Sequence, residues 1–368
     1  MPHIASLTLH RRTIALRRPF VTAVRTVHAI EVLLLEARDS DGRSGWGEAP
    51  TSWRVTGESI EGVSAALEGP LRAAVEGLSS SDPDAASALM RRAVVGNSSA
   101  RMALECALFD LAAQSLDVPL FRYLGGRTSE VRTDMTLSAV VSHGEIDAVC
   151  RTAAEFVEGG MNTLKIKVGA GGDDLALVVA VRRAVGDRIH LRLDANQGWS
   201  PEEAVRVISS LEDAGVALEL VEQPVRADDI EGLAYVTAQV ETPIMADESV
   251  WTMRELREVI RCRAANMVNV KIAKAGGLRE ANEMVRHAQA HDVRVIVGCM
   301  AESHVGIAAA ASLASASASG DLSGDIVHDL DGGLLLAYSP VDGGVTYEGE
   351  RVRLSPTSGN GITGLAPE

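Results

Sequence analysis

From about Thr133 onward the chain alternates short β-rich runs with longer amphipathic stretches. The runs are Met135–Val140, Thr163–Val168, His190–Asp194, Leu218–Glu222, Pro243–Ala246, Met267–Lys271, Arg294–Val297 and Asp325–His328. Between them lie helical patterns such as Asp147–Glu158, Pro201–Ala214 and Thr252–Arg261, with apolar residues recurring at helical spacing. Repeated βα units of this kind imply parallel strands joined by right-handed helical crossovers. Eight strands are what a closed barrel needs, and its functional residues then gather at the C-terminal strand ends. A doubly wound open sheet is the competing architecture, but no Gly-rich βα turn of the dinucleotide-binding type follows the first strand.

The first 125 residues have a different pattern. Ile4–Leu16 and Ala29–Arg38 alternate like antiparallel strands, with a turn at Asp39–Gly45 after the second. Helical stretches follow at Ser59–Glu76, Ala86–Val95 and Ala100–Ser115. This defines an α+β unit over residues 1–125, to which the Gly-rich segment 342–368 is expected to return, and a barrel over residues 126–341.

Composition narrows the function. A chain of 368 residues with 46% hydrophobic and 23% charged residues is globular. A formal charge of −15 and the lack of Lys/Arg runs argue against nucleic acid or an anionic membrane as partner. The N-terminus lacks the apolar run of a secretory signal, and no stretch reaches the roughly 20 apolar residues needed to span a bilayer. The Ala-rich stretch Ile307–Ala318 reads as a buried helix. Cys106, Cys150, Cys262 and Cys299 lack metal-ligand spacing, and read as buried thiols in a reducing cytoplasm.

The sharpest local signal is Thr163-Leu-Lys-Ile-Lys-Val-Gly. Alternate side chains of a strand share a face, so Lys165 and Lys167 point into the barrel if Leu164 and Ile166 face the helices. Two ammonium groups held close repel, which is expected to lower the pKa of at least one and make a base. An exposed edge strand would carry the same pair. Three carboxylates close successive β-rich runs: Asp194, Glu222 and Asp247. Each alone would serve as a helix cap, but three brought together on one rim call for a hard divalent cation. Lys271 ends a later run, on the far side of the mouth from Lys167. Lys274, past the strand, reads as solvated.

Taken together these residues resemble the enolase superfamily, muconate lactonising subgroup. The resemblance runs nearly end to end, through Trp46-Gly-Glu-Ala-Pro, Lys-Ile-Lys, Asp-Ala-Asn, Glu-Gln-Pro, Ala-Asp-Glu-Ser, Asn-Val-Lys and Val297-Gly-Cys-Met-Ala-Glu-Ser. It implies an α/β fold, a modified TIM barrel of (β/α)7β type under an N-terminal α+β capping domain. It implies one Mg²⁺ per active site, with Mn²⁺ as a substitute, on Asp194, Glu222 and Asp247, and Asn196 and Glu248 beside these ligands. Lys167 and Lys271 would be the acid/base pair and Lys165 an electrostatic helper; a lysine base with Mg²⁺ is a general pattern of such sites.

Within the subgroup, His328-Asp-Leu-Asp-Gly discriminates. Asp329 and Asp331 are two apart, so an extended backbone would aim both at the mouth, where they could hold an ammonium group. The segment is similar to the Asp-x-Asp by which dipeptide epimerases grip a free α-amino terminus; a turn with two solvated acids would share the pattern. Arg25, in Pro19-Phe-Val-Thr-Ala-Val-Arg-Thr, matches the arginine that meets the glutamate side chain in Ala-Glu epimerases, and Thr136 and Met300 are further expected substrate contacts. Trp53 could cover an apolar side chain and Arg54 add an anion contact. The resemblance therefore implies a cytoplasmic dipeptide epimerase leaning to L-Ala-D/L-Glu-type substrates, and a homo-oligomer. The alternative is an o-succinylbenzoate synthase, N-succinylamino acid racemase or muconate cycloisomerase.

Overall fold

A computed structural model describes residues 2–21, 26–138, 145–318 and 326–367. Strands β1 (Ile4–Val21), β2 (Thr26–Asp39) and β3 (Ser44–Pro50) form an antiparallel sheet in the order β1-β2-β3. The third of these was not expected from sequence, because Ser-Gly-Trp-Gly-Glu-Ala-Pro lacks a period-2 pattern: six of its seven residues are buried. The reason is a helix, Ser98–Ser115, laid on the strand. A Cβ on Gly45 would come 2.2 Å from the Ala107 carbonyl oxygen, and one on Gly47 1.9 Å from that of Ala103. Only glycine lets the two backbones approach so closely.

The same helix joins the two units. Ala100, Ala103, Leu104, Ala107, Leu108 and Leu111 pack into the core beneath the cap sheet. Met102, Cys106, Phe109 and Ala113 pack into the barrel core. Two apolar stripes at helical spacing, on opposite faces, make a helix that is buried all round. The expected helix Ser59–Glu76 is instead broken. Ser59 caps Ile60–Ala66, accepting from the Gly62 N–H at 3.1 Å, and the chain then widens into a π-turn over Leu67–Leu71. Pro70 cannot donate to the helical ladder, and Gly69 leaves helical geometry (φ −100°, ψ −105°).

The second unit begins with β4 (Glu130–Thr133). A parallel sheet follows, made of β5 (Met135–Leu137), β6 (Thr163–Lys167), β7 (His190–Asp194), β8 (Leu218–Glu222), β9 (Ile244–Ala246), β10 (Met267–Lys271) and β11 (Arg294–Gly298) in sequential order. The last strand, β12 (Val327–His328), pairs in parallel with Arg132 and Thr133 of β4, and Asp329 just beyond it bridges to Gly298 of β11. The sheet thereby curls back on itself. Of the expected strand Asp325–His328, Val327–His328 pairs as β12, Ile326 precedes it without pairing, and Asp325 lies outside the described residues.

Alternation decides what fills the barrel. Leu164, Ile166, Leu191, Leu193, Val268 and Val270 face the helices. Inside, Leu220, Met245, Met267 and Ile296 form an apolar plug. The positions of β6 and β7 in register with this layer are Lys165 and Arg192, so one half of the lumen is apolar and the other charged. The tail divides. Strands β13 (Val341–Gly343) and β16 (Ile362–Leu365) pair with each other, and Val341 and Ile362 pack on Ile14, Val32 and Trp46 of the cap. Strands β14 (Thr346–Glu348) and β15 (Arg351–Arg353) extend the β12-β4 sheet.

Of the stretch Ile307–Ala318, residues Ile307–Ser317 form most of the largely buried helix His304–Ser317, and Ala318 is its exposed C-cap. Of the four cysteines, all free, Cys106 and Cys299 are buried, whereas Cys150 and Cys262 are half-buried. Among the described residues no helix is long and apolar enough to cross a membrane. Substituting Gly47 by Ala should push β3 off helix Ser98–Ser115 and cost about 1–3 kcal/mol, read as a lower urea midpoint at unchanged slope.

Candidate active site

The strand ends meet beneath the cap in a cavity of about 340 Å³. Lys167, at the end of β6, donates to Asp194 at the end of β7 (2.5 Å). Lys271, at the end of β10, donates to Asp247 just beyond β9 (2.9 Å). Since β6 and β10 are four strands apart in the sequential sheet, the two ammonium groups stand on facing sides of the mouth. Lys165 is one pleat below Lys167, buried, 2.6 Å from Asp329 and 3.5 Å from Glu222.

Two sequence expectations change here. Burial works to lower the Lys165 pKa, but the surrounding carboxylates of Asp329, Glu222, Asp134 and Asp194 outweigh it and hold this lysine well above its ordinary value. The expected depression by repulsion from Lys167 does not occur at Lys165, because carboxylates rather than the other ammonium group surround it. Lys274 is not solvated. It is 3% exposed and donates to the Asp247 carbonyl oxygen (2.5 Å), the Asp247 carboxylate (2.6 Å) and the Asn269 carbonyl oxygen (3.0 Å). The helix Ile272–Ala275 starts immediately after β10 and turns the side chain back under the mouth.

Asp194, Glu222 and Asp247 sit on neighbouring strand ends, each already engaged: Asp194 by Lys167, Glu222 by the Asn269 amide (2.8 Å), Asp247 by two lysines. Glu222 Oε2 is buried and accepts no hydrogen bond. Burial, with the charges of Asp194 and Asp247, pushes the Glu222 carboxyl up to about 8. Asp247 goes the other way: burial opposes its ionisation, but the Lys271 and Lys274 ammonium groups hold it far below the carboxylate range. Asn196, in left-handed backbone (φ 43°), donates its N–H to Asp194 (2.9 Å) and its side-chain amide to Glu248 (3.2 Å). Gln223, also left-handed, accepts from the Asp247 N–H (2.9 Å), so the Glu-Gln-Pro turn fixes the next strand end.

On the other side of the mouth, Asp329 accepts from Lys165 and from the Asn269 amide (3.1 Å). Asp331 accepts from the Thr136 N–H (2.8 Å). Its backbone is helical (φ −78°, ψ −3°), capping Gly332–Leu335. The extended geometry expected for Asp329–Asp331 is therefore absent, and the chain turns at the second acid instead, yet both carboxylates line the cavity. Asp134, which sequence reasoning missed, lies with them. One carboxylate oxygen from each of Asp134, Asp329 and Asp331 falls within 4.8 Å of the others, closer together than the expected metal ligands Asp194, Glu222 and Asp247, which do not form a group that tight. Asp134 is paired below with Arg192 (3.0 Å), whose guanidinium also makes a two-pronged contact with Glu219 (2.9 Å each).

The cap closes the cavity with Leu16, Phe20, Val27 and Ile30, and Arg54, Thr136 and Met300 also line it. The Arg17 guanidinium donates to the Leu336 carbonyl (2.7 Å), tying β1 over the mouth. Trp53 is 74% exposed and does not line the cavity. Arg25 lies outside the described residues. Glu302, buried in the cavity wall, accepts from the Met300 N–H (2.9 Å) and is pushed up to about 8 by burial and by Glu48. The motif containing Glu302 was visible in the sequence, but nothing there told its glutamate from a cap.

Ammonium groups on facing strands, interleaved with carboxylates, thus lie under a strand-rich cap at the mouth of the barrel. Residues 4–125 match the family model of the mandelate racemase/muconate lactonizing enzyme N-terminal domain, and residues 148–365 the enolase C-terminal domain-like model. The chain belongs to the enolase superfamily, in its mandelate racemase/muconate lactonizing enzyme group. It is 40% identical to an L-Ala-D/L-Glu epimerase of Bacillus subtilis, covering 99% of this chain and 97% of that one. It is 36% identical to a hydrophobic dipeptide epimerase of Enterococcus faecalis (95% and 96%). The substrate-liganded structure of the Bacillus subtilis L-Ala-D/L-Glu epimerase superposes with a TM-score of 0.93, at 39% identity over 99% of this chain and 100% of that one.

Arg192 gives a direct test of the charged half of the lumen. Replacing it by Met strands Asp134 and should cost about 3–5 kcal/mol. Adding Asp134→Asn should recover part of that loss, read by urea unfolding of the single and double variants.

Proposed function

We propose that this protein is a Mg²⁺-dependent dipeptide epimerase that inverts the α-carbon of the C-terminal residue by 1,1-proton transfer between two lysines. The observation that carries this reading is the placement of Lys167 and Lys271 on strands four apart, each with its ammonium group on a carboxylate at the mouth. One lysine takes the α-proton from one face of the substrate, and the other returns a proton to the opposite face of the planar enediolate. Lys165, buried and held cationic by its neighbours, supplies positive charge where the substrate carboxylate gains negative charge.

Asp194, Glu222 and Asp247 would hold the metal. They are all-oxygen donors on adjacent strand ends, and Glu222 keeps one buried oxygen without a hydrogen bond. Bound there, Mg²⁺ supplies Lewis-acid polarisation of the substrate carboxylate. Asp329 and Asp331 receive the free α-ammonium group of the dipeptide, with the Thr136 N–H holding Asp331 in place.

The L-Ala-D/L-Glu-type substrate is supported by the 40% identical relative and by Arg25, whose guanidinium suits an acidic second residue. A second reading, an apolar dipeptide, is favoured by Leu16, Phe20, Val27 and Ile30 on the cap side of the cavity and by the Enterococcus relative.

In D₂O, either epimer of Ala-Glu should give product carrying solvent deuterium at the inverted carbon, read by proton NMR. Inversion without exchange would count against two lysines. Lys167→Ala and Lys271→Ala should each lose about 10²–10⁴-fold in epimerisation rate. Chelation should abolish turnover and added Mg²⁺ restore it. Asp331→Ala should mainly raise KM for free dipeptides, and wild-type turnover of N-acylated dipeptides at an equal rate would remove the role given to Asp329 and Asp331.

A further inference from the structure

Asp134 belongs to no expected motif, yet it completes the tightest group of acids among the described residues. It follows Thr133 at the end of β4, is wholly buried, and gives its N–H to the His328 carbonyl (3.0 Å). One of its carboxylate oxygens accepts from Arg192; the other, Oδ1, is buried without a hydrogen bond. Facing it are Lys165 from β6, Arg192 from β7, and Asp329 and Asp331 from the turn after β12. His328 of β12 is also near and is held neutral, because burial drives its pKa down to about 3.

The charge balance of this group is short of cations. Lys165 is committed to Asp329, and Arg192 is shared between Asp134 and Glu219. Asp331 has the Thr136 N–H for its carboxylate and, among the described residues, no ion pair of its own. Lys271 adds only a 3.9 Å approach to Asp329 while held by Asp247, so three carboxyls this close have too few cations and cannot all be ionised at low cost. Burial, together with the charges of Asp329 and Asp331, pushes Asp134 up to about 7 although Lys165 and Arg192 oppose it, and burial and Asp329 raise Asp331 as well.

We infer that Asp134, buried behind the cavity wall, is a third acid backing the ammonium site at Asp329 and Asp331, and that a proton held by the pair Asp134 and Asp331 leaves when the α-ammonium group of a dipeptide arrives. This rests on the dipeptide reading above and goes beyond it. The step is balanced: an O–H bond of the acid pair breaks, its proton passes to the buffer base, and the ammonium group takes over the neutralising role with its own protons intact. Binding is thereby coupled to pH. Below the pKa of the acid pair, affinity for the ammonium group weakens, because the incoming cation must displace a proton.

The test is calorimetric titration of the Mg²⁺-loaded full chain with L-Ala-L-Glu in buffers of different ionisation enthalpy, for wild type and Asp134→Asn. The difference in protons released, wild type minus variant, removes contributions from the dipeptide's own groups. It should be a substantial fraction of one proton at pH 6 and fall as the pH rises through the raised pKa of the acid pair. Equal release by both proteins overturns the inference. So does a tenfold or greater loss of Mg²⁺ affinity in Asp134→Asn, which would place the metal on these acids. Should the variant fail to fold, wild type releasing no proton at pH 6 overturns it alone. Solvent deuterium exchange into Ala-Glu separates the two levels: exchange without proton release sinks only the role of Asp134, whereas absence of both binding and exchange across a dipeptide panel sinks the dipeptide reading with it.

Discussion

Buried charge has to be balanced, and at the mouth of this barrel the protein does not balance it alone. Carboxyls converge from the ends of β7, β8, β9 and β12, and the four nearby lysines do not neutralise all of them. Glu222 and Glu302 are pushed up to about 8, and Glu248 and Asp134 to about 7, with burial the first cause in each. An isolated buried carboxylate would cost several kcal/mol, so the site holds its acids ready for cations it has not supplied. A divalent metal ion and a primary ammonium group are the kinds of ligand that such a field selects.

That electrostatic tension is tolerable only in a rigid frame, and the cap provides part of it. Glu48 of β3 receives the Ser303 N–H (2.8 Å), the Ser303 hydroxyl (2.5 Å) and the Gly306 N–H (2.9 Å) at the start of helix His304–Ser317. A carboxylate from one unit thus caps a helix of the other, where unpaired N–H groups and the helix dipole favour negative charge. Asp110, on the helix shared by both cores, accepts from Trp46 N–H (2.9 Å) and Asn360 N–H (2.8 Å), binding cap strand and tail together. The residues that line the cavity from above are consequently held relative to those below by hydrogen bonds as well as by packing.

The chain's own pattern made the barrel legible because its strands are short, contiguous and end on chemistry. The bounds of His190–Asp194, Leu218–Glu222 and Met267–Lys271 agree with the sequence pattern, since each closes on a polar residue and precedes a loop or helix start. What stayed hidden depends on contacts between elements. Strand β3 shows no strand pattern in the sequence until a helix is laid across Gly45 and Gly47. Lys274 reads as solvated until the one-turn helix after β10 folds it inward. Asp134 and Arg192 look like ordinary strand residues, because a strand's period says which face a side chain takes and not that the face is a barrel interior lacking room for free charge.

Lys271 and Lys274 show what such hidden contacts accomplish. Both donate to the Asp247 carboxylate, three residues apart in sequence, but their surroundings differ. Lys274 also holds two backbone carbonyl oxygens, those of Asp247 and Asn269, so its ammonium group is fixed on three acceptors that cannot move away. Lys271 has the single short contact to Asp247 and a longer approach of 3.9 Å to Asp329. A group that must give up a proton and recover it needs few ties, while one that only supplies charge gains from many. If Lys271 is the acid/base group of the proposed mechanism, the deeper lysine keeps Asp247 in place when the outer one turns toward a substrate.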